Sequence, residues 1–167
     1  ELVYDKKFRI MVDFAHTPNS FLKVLPVVAE RTTGRVIHVF GSAGKRDVGK
    51  RPLMGKASSE FADVIILTAE DPRGEKVEDI NSNIEKGFVP GFVHLDTSVE
   101  DIKNAKSYFK ISDRAQAILK AIEIAKPHDT VLITGKGHEK SMNINGTEIP
   151  WDDVSETIKI LKNMHLL

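Results

Sequence analysis

The segment 135–139, with the sequence GKGHE, combines two glycines with a lysine, a histidine and a glutamate. Glycine adopts backbone angles that other residues avoid, and it lets a ligand approach the main chain closely. Because the segment follows the apolar run 130–134, its polar side chains would stand at the end of a buried strand. The pattern favours a ligand-binding loop that includes Gly135, Lys136 and Glu139; the alternative is a plain strand-to-helix turn.

A second charged segment places Glu70, Asp71 and Arg73 around Pro72. Two acids and one guanidinium on a short, proline-stiffened loop suit a zwitterionic ligand such as an amino acid. The alternative is a surface loop whose charges pair with one another, an arrangement that contributes little to stability.

The loop 41–47, GSAGKRD, has some features of a phosphate-binding loop. It does not match the Walker A pattern, which needs four residues between its glycines and Ser or Thr after the lysine. Lys45 and Arg46 still place two cations beside backbone N–H groups, where a carboxylate or a phosphate would bind. A flexible surface turn is the other interpretation.

Asp13 and His16 follow a further apolar run, and His16 has the chemistry of a general base, a nucleotide contact or a helix cap. His94, His128 and His165 have no ligand-like spacing to other candidates, so we expect them to be structural or on the surface. No Ser/His/Asp arrangement is supported, and no metal-binding cluster stands out in the sequence.

Short apolar runs alternate with amphipathic segments and predict the elements that carry these loops. The predicted strands are 8–14, 35–40, 63–68, a short 92–95 and 130–134, and the predicted helices are 17–32, 51–62, 77–86, 113–125 and 152–163. Thr17 is the expected N-cap of the first helix, and Pro18 its first residue. An extended piece surrounds Ile149, and the polar segment 96–111 receives no assignment.

This alternation predicts an α/β fold of the three-layer, Rossmann-like kind, with a mainly parallel sheet flanked by helices. In such sheets a ligand binds at the carboxyl ends of the strands. All four polar segments follow predicted strands, so we expect them to meet at that edge.

The composition describes one ordinary domain, residues 1–167. Lys+Arg and Asp+Glu both number 24, which argues against a nucleic-acid partner, and the absence of cysteine excludes disulfides and thiolate metal sites. No apolar run of about 18 residues suggests a membrane span, and no signal peptide is recognisable, so we expect a cytoplasmic protein. Because residue 1 is not methionine, we expect a fragment or a processed product.

Five motifs in order resemble those of one family. They are VDFAHTP at 12–18, resembling D-Y-A-H-T/N-P; FGSAGKRD and GKRPLMG between 40 and 55, resembling F-G-x-x-G-x-R-D-x-G-K-R-P-x-M; EDPR at 70–73, resembling D-N-P-R; SDRAQAI at 112–118, resembling D-R-x-x-A-I; and GKGHE at 135–139, which is identical. The chain thus resembles the Mur ligases, specifically the UDP-N-acetylmuramoyl-tripeptide synthetases among them, over about residues 8–161.

The resemblance implies the C-terminal, amino-acid-binding domain of a three-domain enzyme, whose N-terminal UDP-sugar domain and central ATPase domain are absent here. Such enzymes use ATP and Mg²⁺, held mainly by the central domain, to convert UDP-MurNAc-L-Ala-D-Glu into an acyl phosphate. The amine of a diamino acid then attacks the acyl phosphate. We therefore expect a domain that positions substrates, contains no catalytic residue of its own and is inactive alone.

By the same resemblance, Arg46 binds a carboxylate of the incoming amino acid. The loop from Glu70 to Arg73, with Gly135 and Glu139, holds the far end of its side chain, so that Arg73 pairs with a distal carboxylate and Glu139 with a distal ammonium. Asp13 and His16 are the implied nucleotide contacts. Lys45 and Lys136 are further candidates for phosphate or carboxylate contact.

Meso-diaminopimelate is the expected diamino acid, and lysine is the alternative. Asp71 replaces the Asn of the diaminopimelate-specific motif, and its negative charge beside a distal carboxylate would favour lysine. Arg73 favours meso-diaminopimelate, because lysine offers it no carboxylate. A free-standing amino-acid or nucleotide-binding module is another possibility, and so is a ligase of the folylpolyglutamate or cyanophycin type.

Overall fold

Seven strands form one sheet in the computed structural model, which describes residues 1–102 and 106–167. The strands are β1 (Leu2–Asp5), β2 (Arg9–Asp13), β3 (Val36–Phe40), β4 (Val64–Leu67), β5 (Val93–His94), β6 (Ser107–Lys110) and β7 (Thr130–Thr134). Their order across the sheet is β1-β2-β7-β3-β4-β6-β5. Every neighbouring pair is parallel except β1 with β2.

In the part of the chain that the structure describes, five helices cover the sheet. They are α1 (Pro18–Glu30), α2 (Lys50–Phe61), α3 (Val77–Glu85), α4 (Arg114–Ile124) and α5 (Asp153–Asn163). None of the helices in the described part of the chain is both long and apolar enough to cross a membrane.

Alternation along the strands divides the core into two hydrophobic clusters, one on each face of the sheet. Ile37 and Val39 of β3 pack with α4 and α5, whereas Val36 and Phe40 pack with α1, α2 and α3. All five residues of β3 are buried. The sheet is therefore the middle of three layers, which confirms the predicted fold class.

Local caps fix where the helices begin. Thr17 accepts a hydrogen bond from the Ser20 N–H, and Ser20 caps in return, with Pro18 at the first helical position as predicted. Asp113 and Asp152 cap α4 and α5 through their carboxylates. These caps place the start of α4 and of α5 at the edge of the sheet where the parallel strands end.

A two-stranded hairpin completes the structure. Its strands are β8 (Ser141–Ile144) and β9 (Thr147–Pro150), joined by a turn in which Asn145 and Gly146 both have positive φ. Positive φ at both positions is the geometry that Asn-Gly favours in tight hairpins. The hairpin lies against the loop after β4, because the Arg73 N–H donates to the Asn143 carbonyl over 3.1 Å.

The predicted helices and main strands agree with the observed ones to within one or two residues. The extended piece around Ile149 is β9, but its partner β8 was not predicted. β6 lies inside the unassigned segment 96–111, of which residues 103–105 are outside the described residues. Leu22 has the helical spacing of the buried residues Phe21, Leu25 and Val28 in α1, from which the sequence predicts a buried side chain, but it is 47% exposed.

Candidate functional site

The loops that follow β2, β3, β4 and β7 surround a cleft of about 480 Å³ at the carboxyl ends of the strands. The cleft is lined by Phe14, His16, Ala43, Arg46, Asp47, Lys50, Glu70, Asp71, Arg73, Gly135 and Glu139. Parallel strands deliver all these loops to one edge, as the sequence predicts.

Close packing joins the loop after β3 to the loop after β4. The Gly44 N–H donates to the Asp71 carbonyl over 2.7 Å. A Cβ atom on Gly44 would lie 1.9 Å from the Pro72 carbonyl oxygen, so only glycine permits this approach. Glu75 strengthens the junction, since it accepts hydrogen bonds from the Lys45 N–H and from the buried guanidinium of Arg51. The two loops therefore form one wall of the cleft.

Two arginines present positive charge to the cleft. Arg46 is exposed at its mouth, and within the described residues its side chain has no hydrogen bond or ion pair. Arg73 is held with φ of 49° and has a 3.7 Å ion pair with Asp71. Both guanidiniums remain accessible to an anionic ligand.

Lys136 lies beneath the cleft between two acids. Its ammonium is 2.8 Å from Asp71 Oδ1 and 2.6 Å from Glu139 Oε2, and the residue is only 1% exposed. Burial lowers the pKa of Lys136, but the hydrogen bonds to Asp71 and Glu139 outweigh burial and raise it. Asp71 Oδ1 also accepts the Asn143 N–H over 2.9 Å. Lys136 therefore neutralises charge inside the protein and is not open to the cleft.

Glu70 is a buried acid without a full set of partners. The residue is 6% exposed, and its Oε2 atom has no hydrogen-bond partner among the described residues. Burial raises the pKa of Glu70 to about 7; Lys50, Arg114 and His16 oppose that shift, and Asp71 adds to it. A buried carboxyl left unsatisfied in a cleft is a marker of a ligand site.

Arg114 supports the cleft from behind. Its guanidinium donates to the Ala69 carbonyl over 2.9 Å and to the Thr134 carbonyl over 2.8 Å. Glu70 and Gly135 are the residues that follow those carbonyls. Two further bonds, of 2.8 and 2.7 Å, join Arg114 to Asp153 at the start of α5, where Trp151 also donates. The sequence placed Arg114 in a family motif but did not indicate this role.

His38 is a second supporting residue that the sequence reasoning missed. It is fully buried in β3, with Nδ1 2.8 Å from the Ser58 hydroxyl and Nε2 3.0 Å from the Thr134 hydroxyl. Burial first, and then the charge of Arg114, lower the pKa of His38 to about 3. The ring is therefore neutral, and it links α2 to the end of β7. A lone histidine in an apolar strand was the only signal in the sequence.

Aromatic rings border the cleft on the β2 side. The Phe14 ring lies 4.6 Å from His16 and 4.7 Å from His138, measured between ring centroids. The Lys50 ammonium donates to the His16 carbonyl over 3.0 Å. Asp13 does not line the cleft, because its Oδ1 accepts the Ala15 N–H over 2.8 Å and shapes the turn instead.

The structure thus brings together most of the residues predicted for the site. Arg46, Glu70, Asp71, Arg73, Gly135, Glu139 and His16 line the cleft, whereas Asp13, Lys45, Pro72 and Lys136 do not. His94, His128 and His165 lie outside it. Within residues 1–102 and 106–167, no group of three or more His, Cys, Asp or Glu side chains is arranged to hold a metal ion.

Comparison with known families agrees with the motifs. The sequence matches the family described as "Mur ligase, glutamate ligase domain" over residues 1–137. It is 44% identical over 154 residues to the UDP-N-acetylmuramyl-tripeptide synthetase of Borreliella burgdorferi, covering 92% of this chain and 28% of that protein. It is 39% identical over 161 residues to the UDP-N-acetylmuramoyl-L-alanyl-D-glutamate–2,6-diaminopimelate ligase of Aquifex aeolicus, covering 96% of this chain and 30% of that protein.

A solved structure of a UDP-N-acetylmuramoyl-L-alanyl-D-glutamate–2,6-diaminopimelate ligase is similar in fold as well as in sequence. It superimposes with a TM-score of 0.84 and 34% identity, over 99% of this chain and 31% of that one. The chain therefore spans about a third of the length of the proteins it resembles, and the remaining two thirds of those proteins have no counterpart in this sequence.

The first testable consequence concerns the buried ion pair. Arg114→Met should lower the free energy of unfolding by about 3–5 kcal/mol, because Asp153 is left charged in a fully buried position. Lys159→Met on α5, the helix that begins at Asp153, removes an exposed ion pair with Glu156 and should cost less than about 1 kcal/mol. Urea denaturation of the three proteins measures both values. Equal losses in the two variants would contradict the supporting role of Arg114.

A second consequence concerns the pH dependence of stability. The folded pKa of Glu70, about 7, lies above its ordinary value of 4.5, so the folded protein holds a proton that the unfolded chain releases between these two values. The free energy of unfolding should fall as pH rises from about 4.5 to 7, by an amount on the order of 3 kcal/mol.

Glu70→Gln should remove that fall, whereas Glu60→Gln on the exposed face of α2 should keep it. Denaturation curves recorded across this pH range separate the two variants. A slope unchanged by Glu70→Gln would show that other groups cause the pH dependence.

Proposed function

This chain belongs to the Mur ligase family, and we propose that it is the substrate-positioning C-terminal domain of an ATP-dependent ligase of peptidoglycan-precursor synthesis. The ligase would add a diamino acid, with meso-diaminopimelate favoured, to UDP-MurNAc-L-Ala-D-Glu. The names of the relatives, tripeptide synthetases and a diaminopimelate ligase, support this choice of reaction.

The observation that carries the proposal is the distribution of charge in the cleft. Two accessible guanidiniums, Arg46 and Arg73, line it together with the buried, incompletely bonded carboxyl of Glu70. Meso-diaminopimelate has a carboxylate and an amine at each end. Its two carboxylates match the two guanidiniums, and an ammonium group matches an acid.

In the proposed reaction, ATP supplies the phosphoryl group that activates the carboxylate of the UDP-linked dipeptide. The role of this chain is to hold the diamino acid so that its free amine faces that carboxylate, a contribution worth several kcal/mol in enzymes generally. Arg46 would bind the carboxylate near the reacting amine. Arg73, Gly135 and the acids beside them would bind the far end.

The nucleotide side of the proposed complex involves the β2 edge of the cleft. Asp13 shapes the turn that presents His16, so we propose that Asp13 acts indirectly and that His16 contacts the nucleotide. ATP and Mg²⁺ would be held mainly by the central domain of the longer ligase. Lys136 is paired with Asp71 and Glu139 inside the protein, whereas Lys45 is exposed beside the cleft and is the one of the two that could contact a phosphate or carboxylate.

The surroundings of Asp71 support diaminopimelate over lysine. Its Oδ1 atom is paired with Lys136 and with the Asn143 N–H, so its charge is compensated before any ligand binds. The repulsion expected between Asp71 and a distal carboxylate is thereby reduced. Arg73 then provides the group that a second carboxylate requires.

Two alternative functions, a free-standing binding module and a ligase of another type, can be distinguished from the proposed one by experiment. A free-standing binding module would occur in a reading frame without other ligase domains, whereas the proposed ligase requires a Gly-Lys-Thr/Ser phosphate loop encoded upstream. Calorimetry of this chain with diaminopimelate, lysine and ATP tests for binding in the absence of catalysis. A folylpolyglutamate or cyanophycin-type ligase would use glutamate or other amino acids in place of a diamino acid.

Replacement of Arg46 tests the amino-acid site. Arg46→Ala in the full-length ligase should raise KM for the diamino acid roughly 10- to 100-fold, the usual effect of losing a hydrogen bond to a charged group. KM for ATP should stay within about twofold, because the loop after β3 faces the other substrate. Arg31→Ala, an exposed arginine at the end of α1, is the matched control and should change neither constant. A rise in KM for ATP alone would contradict the assignment of Arg46.

The isolated chain should hydrolyse no ATP and form no amide bond. The reason is that its loop at 41–47 lacks the Walker pattern, so the phosphate-binding machinery must lie elsewhere. Phosphate release by the purified chain, compared with that of the full-length ligase at equal concentration, measures this. Release well above the buffer background would show that the chain carries ATPase chemistry of its own.

A further inference from the structure

The tip of the β8–β9 hairpin carries chemistry that the cleft does not use. Asn145 and Gly146 form the turn, and both residues are exposed. Of all the asparagines in the sequence, only Asn145 precedes a glycine. Asparagine is among the chemically labile residues of proteins, because the backbone nitrogen of the following residue can attack its side-chain amide. The dipeptide is therefore a candidate site of covalent change.

Gly146 leaves the attacking nitrogen accessible. A Cβ atom added to Gly146 would meet no heavy atom of the described residues within 4 Å, so the space beside this residue is open. Glycine has no side chain of its own to shield its nitrogen from the Asn145 side chain. Neither the attack nor the later entry of water is therefore sterically blocked.

A cation lies beside the Asn145 side chain. The Lys45 ammonium and the Asn145 Oδ1 atom lie 3.5 and 3.9 Å from one point, the position that a Cβ atom on Gly74 would occupy. An ammonium near a carbonyl oxygen stabilises the negative charge that develops on that oxygen when a nucleophile adds to the carbon. It also stabilises a carboxylate that replaces the amide. Lys45 is thus placed to promote the attack and to favour its product.

The closed turn restrains the attack. The Gly146 N–H donates to the Asn143 Oδ1 atom over 3.1 Å, and the Asn143 side-chain amide donates to Glu148 over 2.7 Å. The Gly146 nitrogen is thereby occupied with Asn143. Two-stranded hairpins with strands of only four residues are marginally stable by themselves, so their tips open locally. The attack becomes possible when the tip opens and the bond to Asn143 breaks.

We propose that Asn145 is a self-modification site, promoted by Lys45 and restrained by Asn143, at which the side-chain amide becomes a carboxylate with loss of ammonia. In the first step the Gly146 nitrogen bonds to the Asn145 Cγ atom and the Cγ–Nδ2 bond breaks. Ammonia leaves with the proton of the Gly146 N–H, and a cyclic succinimide remains. Water then opens the ring at either of its carbonyls, which yields aspartate or isoaspartate.

The isoaspartate product would loosen the hairpin from the wall of the cleft. In isoaspartate the main chain runs through the side-chain carbonyl, which inserts a methylene group at the turn and disturbs the pairing of Ile144 with Thr147. Asn143 joins the hairpin to the loop after β4, through its N–H to Asp71 and its carbonyl to Arg73. The modification therefore has a route from an exposed turn to the cleft.

Peptide mapping of the aged wild-type protein tests the proposal. The purified protein is incubated at neutral pH and digested with trypsin, and mass spectrometry follows the peptide 141–159 against a sample digested at once. Conversion at Asn145 should be roughly tenfold or more faster than at Asn19, an exposed asparagine of α1 that precedes Ser20. Aspartate and isoaspartate should both appear, as separately eluting peptides of equal mass. Conversion at Asn145 no faster than at Asn19 would overturn the proposal.

Two variants with matched controls test the roles of the neighbours. Asn143→Ala removes the bond to the Gly146 N–H and should speed conversion about 2- to 10-fold, whereas Ser141→Ala on the same strand should leave the rate within about twofold. Lys45→Gln should slow conversion about 2- to 10-fold, and Lys140→Gln at the far end of the hairpin should not. Rates unchanged by both Asn143→Ala and Lys45→Gln would show that the dipeptide acts without help from the fold, which contradicts the proposal.

Hydrogen exchange tests the route to the cleft. The Arg73 N–H donates to the Asn143 carbonyl, so its exchange should be faster in protein that carries isoaspartate at position 145 than in unmodified protein. Protein that carries aspartate keeps the ordinary main chain and should exchange like the unmodified protein. Equal exchange of the Arg73 amide in all three forms would contradict the route.

Discussion

One buried guanidinium connects the separate parts of this site. Arg114 bonds to the carbonyls at the ends of β4 and β7 and to Asp153 at the start of α5. β3 lies between β4 and β7 in the sheet, so these two strand ends have no direct ladder between them. Arg114 supplies that connection and so sets how far Glu70 stands from Gly135. Since Arg114 and Asp153 are both almost fully buried, the pair must be complete, because either charge alone would destabilise the fold.

The sequence was sufficient for the general architecture because that information is local. The apolar runs of β3, β4 and β7 are buried throughout, and a fully buried strand is recognisable from such a run. β6 could not be recognised in this way, because it alternates Ser, Tyr, Phe and Lys within a polar segment. The turn of the β8–β9 hairpin contains Asn145-Gly146, a dipeptide that favours tight hairpins and is the local signal for this pair of strands.

The site was predictable only as a set of loops. Parallel strands bring their carboxyl ends to one edge, so the sequence alone predicts that Arg46, Glu70 and Glu139 meet there. Pairings across the cleft are not local, and the sequence does not encode them visibly. Asp71 is an example, because the residues next to it in sequence suggest that its negative charge has no compensating partner. Lys136, 65 residues away, compensates that charge in the folded chain.

This compensation also bears on how strongly the site can distinguish diaminopimelate from lysine. In the proposed complex, lysine leaves Arg73 without a carboxylate, and an unpaired buried guanidinium would impose a large penalty. Arg73 is not in that position, because its side chain is 31% exposed and Asp71 lies 3.7 Å away. The penalty for lysine is then reduced to the loss of a partly solvated ion pair, which is worth about 1 kcal/mol or less. Discrimination through Arg73 alone would be modest, so strict specificity in the proposed ligase would require contacts beyond Arg73.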